Sequence, residues 1–366
     1  MDILLECARV IPDSAALRRA AKGVDDWPKA LNQAGRHGLK PLLHWRLSRH
    51  CSDAVPPEVA AQLGEAFHAN AGRNLMAASE LKKVFGWLEA AGVAAIAFKG
   101  PTLTALAYEN LALREFHDLD VLIQPRDRTR AVSLLVGHGC RDKGAPGAQD
   151  LPGNNEIALK TPSGSEVDLH WAVSPRYFLE FDASWAWERT QRVLVAGVPL
   201  PTFGPDDLFA SVALNGACNC WASLKWICDV ANLIRVAPPA WDRLLENRQT
   251  RRAFRLATLL AADLLDAPVP AGVLAAARSD QVVIELARQV SSRLFAPLDG
   301  VAGTRSEAAM QLRMTTMVRD KARYVWRRAL QPNQTDNDFL SLHPSLRRIL
   351  WLVRPFRILA KFASSS

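Results

Sequence analysis

The sequence predicts an α+β fold: a small mixed sheet within residues 89–203, flanked by helical regions at 1–88 and 204–330, with a basic amphipathic tail at 331–366. Three observations predict it. Apolar residues recur at helical spacing through the first 88 residues. Polar and apolar residues alternate in short runs between 91 and 200, and Ala-Leu-rich helical patterns return after Phe203-Gly204-Pro205. A length of 366 residues, 49% of them hydrophobic, suffices for large cores and two domains.

The amino-terminal helices are expected at 15–21, 27–36, 41–49 and 59–90, with Trp27, Leu31, Leu39, Leu42, Leu43 and Trp45 as core contacts. Residues 91–98 read as a buried strand ending at Lys99-Gly100, and Pro101 suits the first turn of a helix that runs to Tyr108. A strand, a glycine turn and a helix N-terminus seat phosphate through free amides and the helix dipole. Gly100 lets a ligand approach the backbone, Lys99 supplies a point charge, and Arg114 is a further candidate contact.

Residues 116–123 alternate as a strand, so Asp118 and Asp120, two apart, project from one face. A helix at 128–138 and a turn-rich loop at 144–155, a candidate substrate cover, come next. The runs 156–160 and 166–171 then pair as a hairpin around Thr161-Pro162-Ser163-Gly164-Ser165 and deliver Asp168. Three clustered carboxylates raise one another's pKa unless a cation joins them, and Mg²⁺ is the usual remedy. His170 is expected off the acid-bearing face, in a structural role, and Trp171 as packing. Asp206 or Asp207 begins the next helix, and helical patterns follow at 253–265 and 272–295. Lys225 is a candidate to reach toward phosphate, with an i,i+4 pairing to Asp229 as its structural alternative.

The order Phe98-Lys99-Gly100, Arg114-x-x-x-Asp118-Leu119-Asp120-Val121-Leu122-Ile123 and Val167-Asp168-Leu169-His170-Trp171 resembles the uncharacterised bacterial nucleotidyltransferases of the DNA polymerase beta-like superfamily. Leu224-Lys225-Trp226-Ile227-Cys228-Asp229 is similar to a helix motif of the same family. The chain departs from the superfamily pattern where Gly100-Pro101-Thr102 replaces a Gly-Ser pair, which leaves Thr102 as the serine's stand-in. It departs again at Asn215 and Asn219, where histidines are expected.

The resemblance implies a mixed-sheet nucleotidyltransferase domain that moves a nucleoside monophosphate from a nucleoside triphosphate, ATP among them, to a hydroxyl. It implies two Mg²⁺ ions, with Mn²⁺ as a substitute, on Asp118, Asp120 and Asp168. Lys99, Gly100, Thr102, Arg114 and Lys225 would then hold the nucleotide. Its acceptors are a small molecule, a peptide (as in peptide natural product biosynthesis) or RNA. Read without the resemblance, the acids also allow an Asp-x-Asp glycosyltransferase using a nucleotide sugar, a catalytically silent nucleotide-binding protein, or a toxin-like enzyme acting on tRNA.

Charge and cysteine content narrow the setting. A formal net charge of +8 favours anionic partners. The six cysteines, Cys7, Cys51, Cys140, Cys218, Cys220 and Cys228, show no CxxC spacing and read as free thiols. The start lacks a basic segment followed by an apolar core, and no run of about 18 apolar residues occurs, so a cytoplasmic location is expected. The acid-free tail at 346–362 reads as a terminal helix, kinked at Pro355, that packs its apolar face on the body, with peripheral contact to a membrane or partner protein as the alternative.

Overall fold

The computed structural model describes residues 2–144, 154–174, 178–179, 185–296, 304–330 and 354. Most of the turn-rich loop and, apart from Arg354, the basic tail lie outside them. Helices α1 (Asp2–Ala8), α2 (Ser14–Lys22), α3 (Trp27–Arg36) and α4 (Lys40–His50) lead into α5, which runs 34 residues from Pro57–Ala90. The starts of α2 and α3 are fixed locally: Asp13 and Asp26 accept backbone N–H groups of the first turns.

The sheet has five strands in the order β1-β2-β5-β4-β3, formed by β1 (Ala95–Ala97), β2 (Asp118–Ile123), β3 (Arg141–Asp142), β4 (Glu156–Lys160) and β5 (Glu166–His170). It is mixed. β2 and β5 run parallel, with Asp118 opposite Glu166 and Asp120 opposite Asp168, and the other pairings are antiparallel. Helices α6 (Gly100–Tyr108) and α7 (Arg128–Gly137) follow β1 and β2. A separate hairpin of β6 (Thr190–Val195) and β7 (Val198–Phe203), which the sequence reading did not resolve, closes the α/β segment.

Strand alternation divides the sheet chemically. Leu119, Val121, Ile123, Ile157, Leu159, Val167 and Leu169 face a core shared with Leu81, Val84 and Leu88 of α5 and Ala131 and Leu135 of α7. The other face carries the acids. A larger core joins α1–α4 to α8 (Pro205–Cys218), α9 (Leu224–Val236), α10 (Trp241–Glu246), α11 (Arg251–Leu265), α13 (Gln281–Leu294) and part of α6. The amino-terminal helices therefore bury their apolar stripes against the carboxy-terminal helices. The expected helical stretch at 272–295 is two helices, α12 (Ala271–Arg278) and α13, because the Asp280 side chain accepts from Val282 N–H and starts a new helix.

Two buried polar links pin these layers. Arg114 makes a two-pronged ion pair to Asp229 of α9, Nε to Oδ1 at 2.7 Å and Nη2 to Oδ2 at 3.0 Å, and the Tyr108 hydroxyl donates to Oδ1 at 2.8 Å. Asp229 thus pairs with Arg114, correcting the expected partnership with Lys225: the tertiary contact offers a planar, bidentate donor that the helix neighbour cannot. Removing one partner of a buried pair strands the other charge. Asp229→Ala is expected to cost about 3–5 kcal/mol, read by denaturant unfolding.

His37, fully buried at the end of α3, accepts the Leu224 backbone N–H at Nδ1 (3.2 Å), and its carbonyl accepts the Ser223 hydroxyl. Burial, with Arg36 nearby, lowers its pKa from 6.5 to about 4. Above pH 6.5 the ring is neutral in both folded and unfolded chains. As pH falls from 6.5 toward 4, the unfolded chain gains a proton that the folded one resists, and stability drops. His37→Asn is expected to remove up to about 3 kcal/mol of that pH dependence, measured by unfolding at pH 7 and pH 4.

Candidate active site

The site lies on the open face of the sheet, where β2 and β5 run side by side. Asp118 and Asp120 share that face by the strand period, and the parallel register brings Asp168 beside Asp120. Asp118 and Asp168 are half-buried, whereas Asp120 is 4% exposed. So enclosed a carboxylate needs compensation. Lys99 Nζ donates to Asp120 Oδ1 at 2.8 Å, and His170 Nε2 approaches the same oxygen at 3.1 Å. His170 Nδ1 lies 2.9 Å from Glu156 Oε2, an ion pair whose carboxylate stands off the N–H axis.

The charge states follow from this packing. Burial alone would push the Asp120 carboxyl up, but Lys99 and His170 outweigh it and hold it well below the ordinary carboxylate range. Burial disfavours the His170 imidazolium, yet Asp120 and Glu156 raise its pKa to about 9, so the ring is a cation at neutral pH. Lys99 is likewise raised: burial lowers it, and Asp120 reverses that. Asp168 behaves oppositely. Burial raises its pKa to about 7, with Asp118, Glu156 and Asp120 adding to the rise and His170 resisting it.

His170 corrects the sequence reading. It stands two residues from Asp168, so an unbulged strand places both on one face, and the expectation that His170 lay off the acid side fails on the period of two. Glu156, opposite His170 on β4, is a second site residue that the reading missed. Its signal was the hairpin register, which alternation in the two strands had already set. Trp171 packs as expected: it is buried, and its indole N–H donates to the Asn154 carbonyl.

The strand-to-helix turn is built around Gly100, whose φ is +51° and whose missing Cβ would stand 3.1 Å from the Asp118 carbonyl oxygen. Glycine is required twice here, for the left-handed backbone and for contact with β2. In the first turn of α6 Pro101 has no N–H and the Leu103 N–H reaches the Lys99 carbonyl, which leaves the Gly100 and Thr102 amides without an intrahelical acceptor. Thr102 is fully buried, with its hydroxyl directed to the carbonyls of Ala97 and Lys99, so it closes the turn from inside. Arg114 pairs with Asp229 through Nε and Nη2, while its buried Nη1 has no hydrogen-bond partner among the described residues. Lys225 has no ion-pair or hydrogen-bond partner among the described residues. Burial lowers its pKa, and it lies within the fields of Arg114, Asp229, Asp118 and Glu115. Asn215 and Asn219, at the end of α8, bond to each other, Asn219 Nδ2 donating to the Asn215 carbonyl at 2.8 Å.

Residues 24–266 match a family described as "Uncharacterised nucleotidyltransferase". The chain belongs to that family. The matched span contains every acid and basic group of the site. No curated relative matches the chain. Among solved structures, similarity is found to the antibiotic-resistance factor ANT(2'')-Ia, at 14% identity and TM-score 0.31, covering 58% of this chain and 97% of that one. It is found also to an antigenic nucleotidyltransferase-like protein from Paracoccidioides brasiliensis, at 17% identity and TM-score 0.35, covering 54% and 94%. At such TM-scores neither bears on the chemistry of this chain. Among the described residues no helix is long and apolar enough to cross a membrane.

The donor set suits a hard cation, although no three His, Cys, Asp or Glu side chains among the described residues close into a ready-made cage. Both contacts to Asp120 among the described residues use Oδ1, and the register sets Asp168 opposite Asp120 with Asp118 two residues away on the same strand. The unrelieved negative charge at Asp168 is the kind a divalent ion neutralises. Gly100→Ala forces a side chain into left-handed backbone and against β2. It is expected to cost about 1–2 kcal/mol and to displace Asp118, read by thermal unfolding together with nucleotide affinity.

Proposed function

We propose that the chain transfers a nucleoside monophosphate from a nucleoside triphosphate to a hydroxyl of a small-molecule, peptide or RNA acceptor, using Asp118, Asp120 and Asp168. The observation that carries this reading is the parallel register of β2 and β5, which lines up the three acids opposite the Lys99-Gly100 turn. Residues 89–203 form the catalytic unit, with the helical regions around it supplying the walls of the site. Mg²⁺ or Mn²⁺, as two ions shared among the three acids, would supply charge neutralisation for the triphosphate and a more acidic acceptor hydroxyl.

The chain's own groups account for the rest. The first-turn amides of α6 and the close backbone at Gly100 offer hydrogen bonds to phosphate oxygens. Lys225 of α9, whose ammonium has no ion-pair partner among the described residues, lies within the field of Asp118. Lys99 and His170 hold Asp120 ionised and fixed in place, and Glu156 fixes the ring of His170 from the other side. The acceptor oxygen attacks the α-phosphorus, the bond from that phosphorus to the pyrophosphate oxygen breaks, and pyrophosphate leaves with the bonding pair. Asp168, on the strand beside Asp120, takes the hydroxyl proton.

The test is a thermal-shift series with each nucleoside triphosphate and UDP-glucose, with and without Mg²⁺, on wild type, Asp118→Asn and Asp168→Asn. A triphosphate-specific, Mg²⁺-dependent stabilisation of wild type is expected. At about 100-fold excess of nucleotide over Kd it should approach 2.7 kcal/mol, and both variants should lose it. Stabilisation by the nucleotide sugar alone, surviving in Asp168→Asn, would replace this reading with glycosyl transfer. Binding without pyrophosphate release in the presence of candidate acceptors would leave a silent nucleotide-binding protein.

A further inference from the structure

Beside the three acids lies a second charged group whose sign is reversed. Gly38, with φ at +65° in the turn between α3 and α4, brings that turn onto the site: a Cβ there would stand 3.3 Å from Lys225 Cδ and 3.7 Å from Glu115 Oε2. Lys40 opens α4 two residues later. Arg73, exposed on α5, reaches Asn70 Oδ1 at 3.4 Å, and Asn70 in turn donates to the carbonyls of Ala112 and Arg114, which hold the segment bearing Glu115 and His117. Half-buried Glu115 thus shares the Gly38 turn with Lys225 and its own segment with His117, while a Cβ at Gly35, one turn earlier, would stand 3.4 Å from Lys40 Nζ. Burial raises the Glu115 pKa, and Lys225, His117, Arg73 and Lys40 all act against that rise.

None of these four basic side chains has a carboxylate within ion-pairing distance among the described residues, whereas arginines and lysines elsewhere, such as Arg18, Lys83, Lys143, Arg252 and Arg278, do. Three full positive charges against one carboxylate leave a net charge of +2. That balances the charge of a phosphate group near neutral pH, which is about −1.5 to −2. Arginine and lysine at a half-open, partly desolvated rim are the side chains that bind such a group with charge-assisted hydrogen bonds.

We infer that Lys40, Arg73, His117 and Lys225, set around Glu115, form a second anion subsite next to the acids, and that it takes a phosphate group carried by the acceptor. The inference rests on the nucleotidyltransferase reading for the word acceptor, but not for the subsite itself. The amino-terminal helices supply Lys40 and Arg73, so this part of the chain selects what is modified, while the sheet and α6 handle the donor. Lys225 stands between the two, facing Asp118 on one side and Glu115 on the other.

The test titrates the full chain with inorganic phosphate by calorimetry, once alone and once saturated with a non-hydrolysable nucleoside triphosphate and Mg²⁺. The variants are Lys40→Ala/Arg73→Ala and Glu115→Gln. With nucleotide present, the double variant is expected to bind phosphate about tenfold more weakly and Glu115→Gln about threefold more tightly, with nucleotide affinity within about twofold of wild type in both. Phosphate binding that neither variant moves would overturn the subsite. A parallel loss of nucleotide and phosphate affinity in the double variant would also overturn it, because the cations would then belong to the donor's own triphosphate. If the double variant does not fold, the direction of change in Glu115→Gln decides. If wild type binds phosphate but no nucleotide, the donor reading falls, and the nucleotide-free titrations of the same variants still decide the subsite.

Discussion

Asp120 has almost no access to water, yet it sits on the one face of the sheet that is not apolar. A carboxylate in that position is tolerable only if positive charge is built in around it, and two cations meet on a single one of its oxygens. Much of the site's layout follows from that constraint. Lys99 must stand just past the end of β1, so α6 begins directly after it at Gly100. His170 must stand on the acid face of β5, so the hairpin register is fixed, and Glu156 on β4 completes the balance on the far side of the ring. Across the strand pair stands Asp168, where burial and the neighbouring carboxylates raise the pKa against the field of His170.

The helices around the sheet serve the same face. A shared core places the turn after α3 against the start of α9, through His37 and Leu224, so elements nearly two hundred residues apart converge on one edge of the site. The Arg114–Asp229 pair ties α9 to the segment just ahead of β2, and Asn70 and Asn74 of α5 hold the same segment by its carbonyls. Asp118 is thus approached by chain that is fastened from two directions. Side chains held by packing and buried hydrogen bonds can keep a fixed geometry as charge redistributes.

The period-two alternation placed Asp118 and Asp120 together and foresaw the hairpin that brings Asp168, because burial of one sheet face imposes that pattern directly on the residues. The same rule should have placed His170 with Asp168, and Glu156 after it. Those misses lay in applying the pattern rather than in its content. Arg114 and Lys225 were different. Both are basic and both lie near the acids in the family-like motif, yet one is locked to Asp229 and the other stands without a partner. Nothing local in the sequence separates them, since the choice depends on which helix packs on which. The β6–β7 hairpin escaped for a related reason: Pro199 and Pro201 weaken its strand signal, and only pairing across the turn makes it a ribbon.

By itself the sequence determined the class of fold, the strand that carries two acids, the third acid on its own strand, and the strand-to-helix turn at Gly100. Each is written within a few consecutive residues, where periodicity and backbone sterics act without distant partners. Tertiary structure decided which charges are spent and which are available. Asp120 is neutralised by Lys99 and His170, Asp229 takes two nitrogens of Arg114, and Lys225 has no ion-pair partner among the described residues. Ion pairing inside a protein is settled by burial and by contacts between segments far apart in sequence, and neither is present in any local stretch of residues.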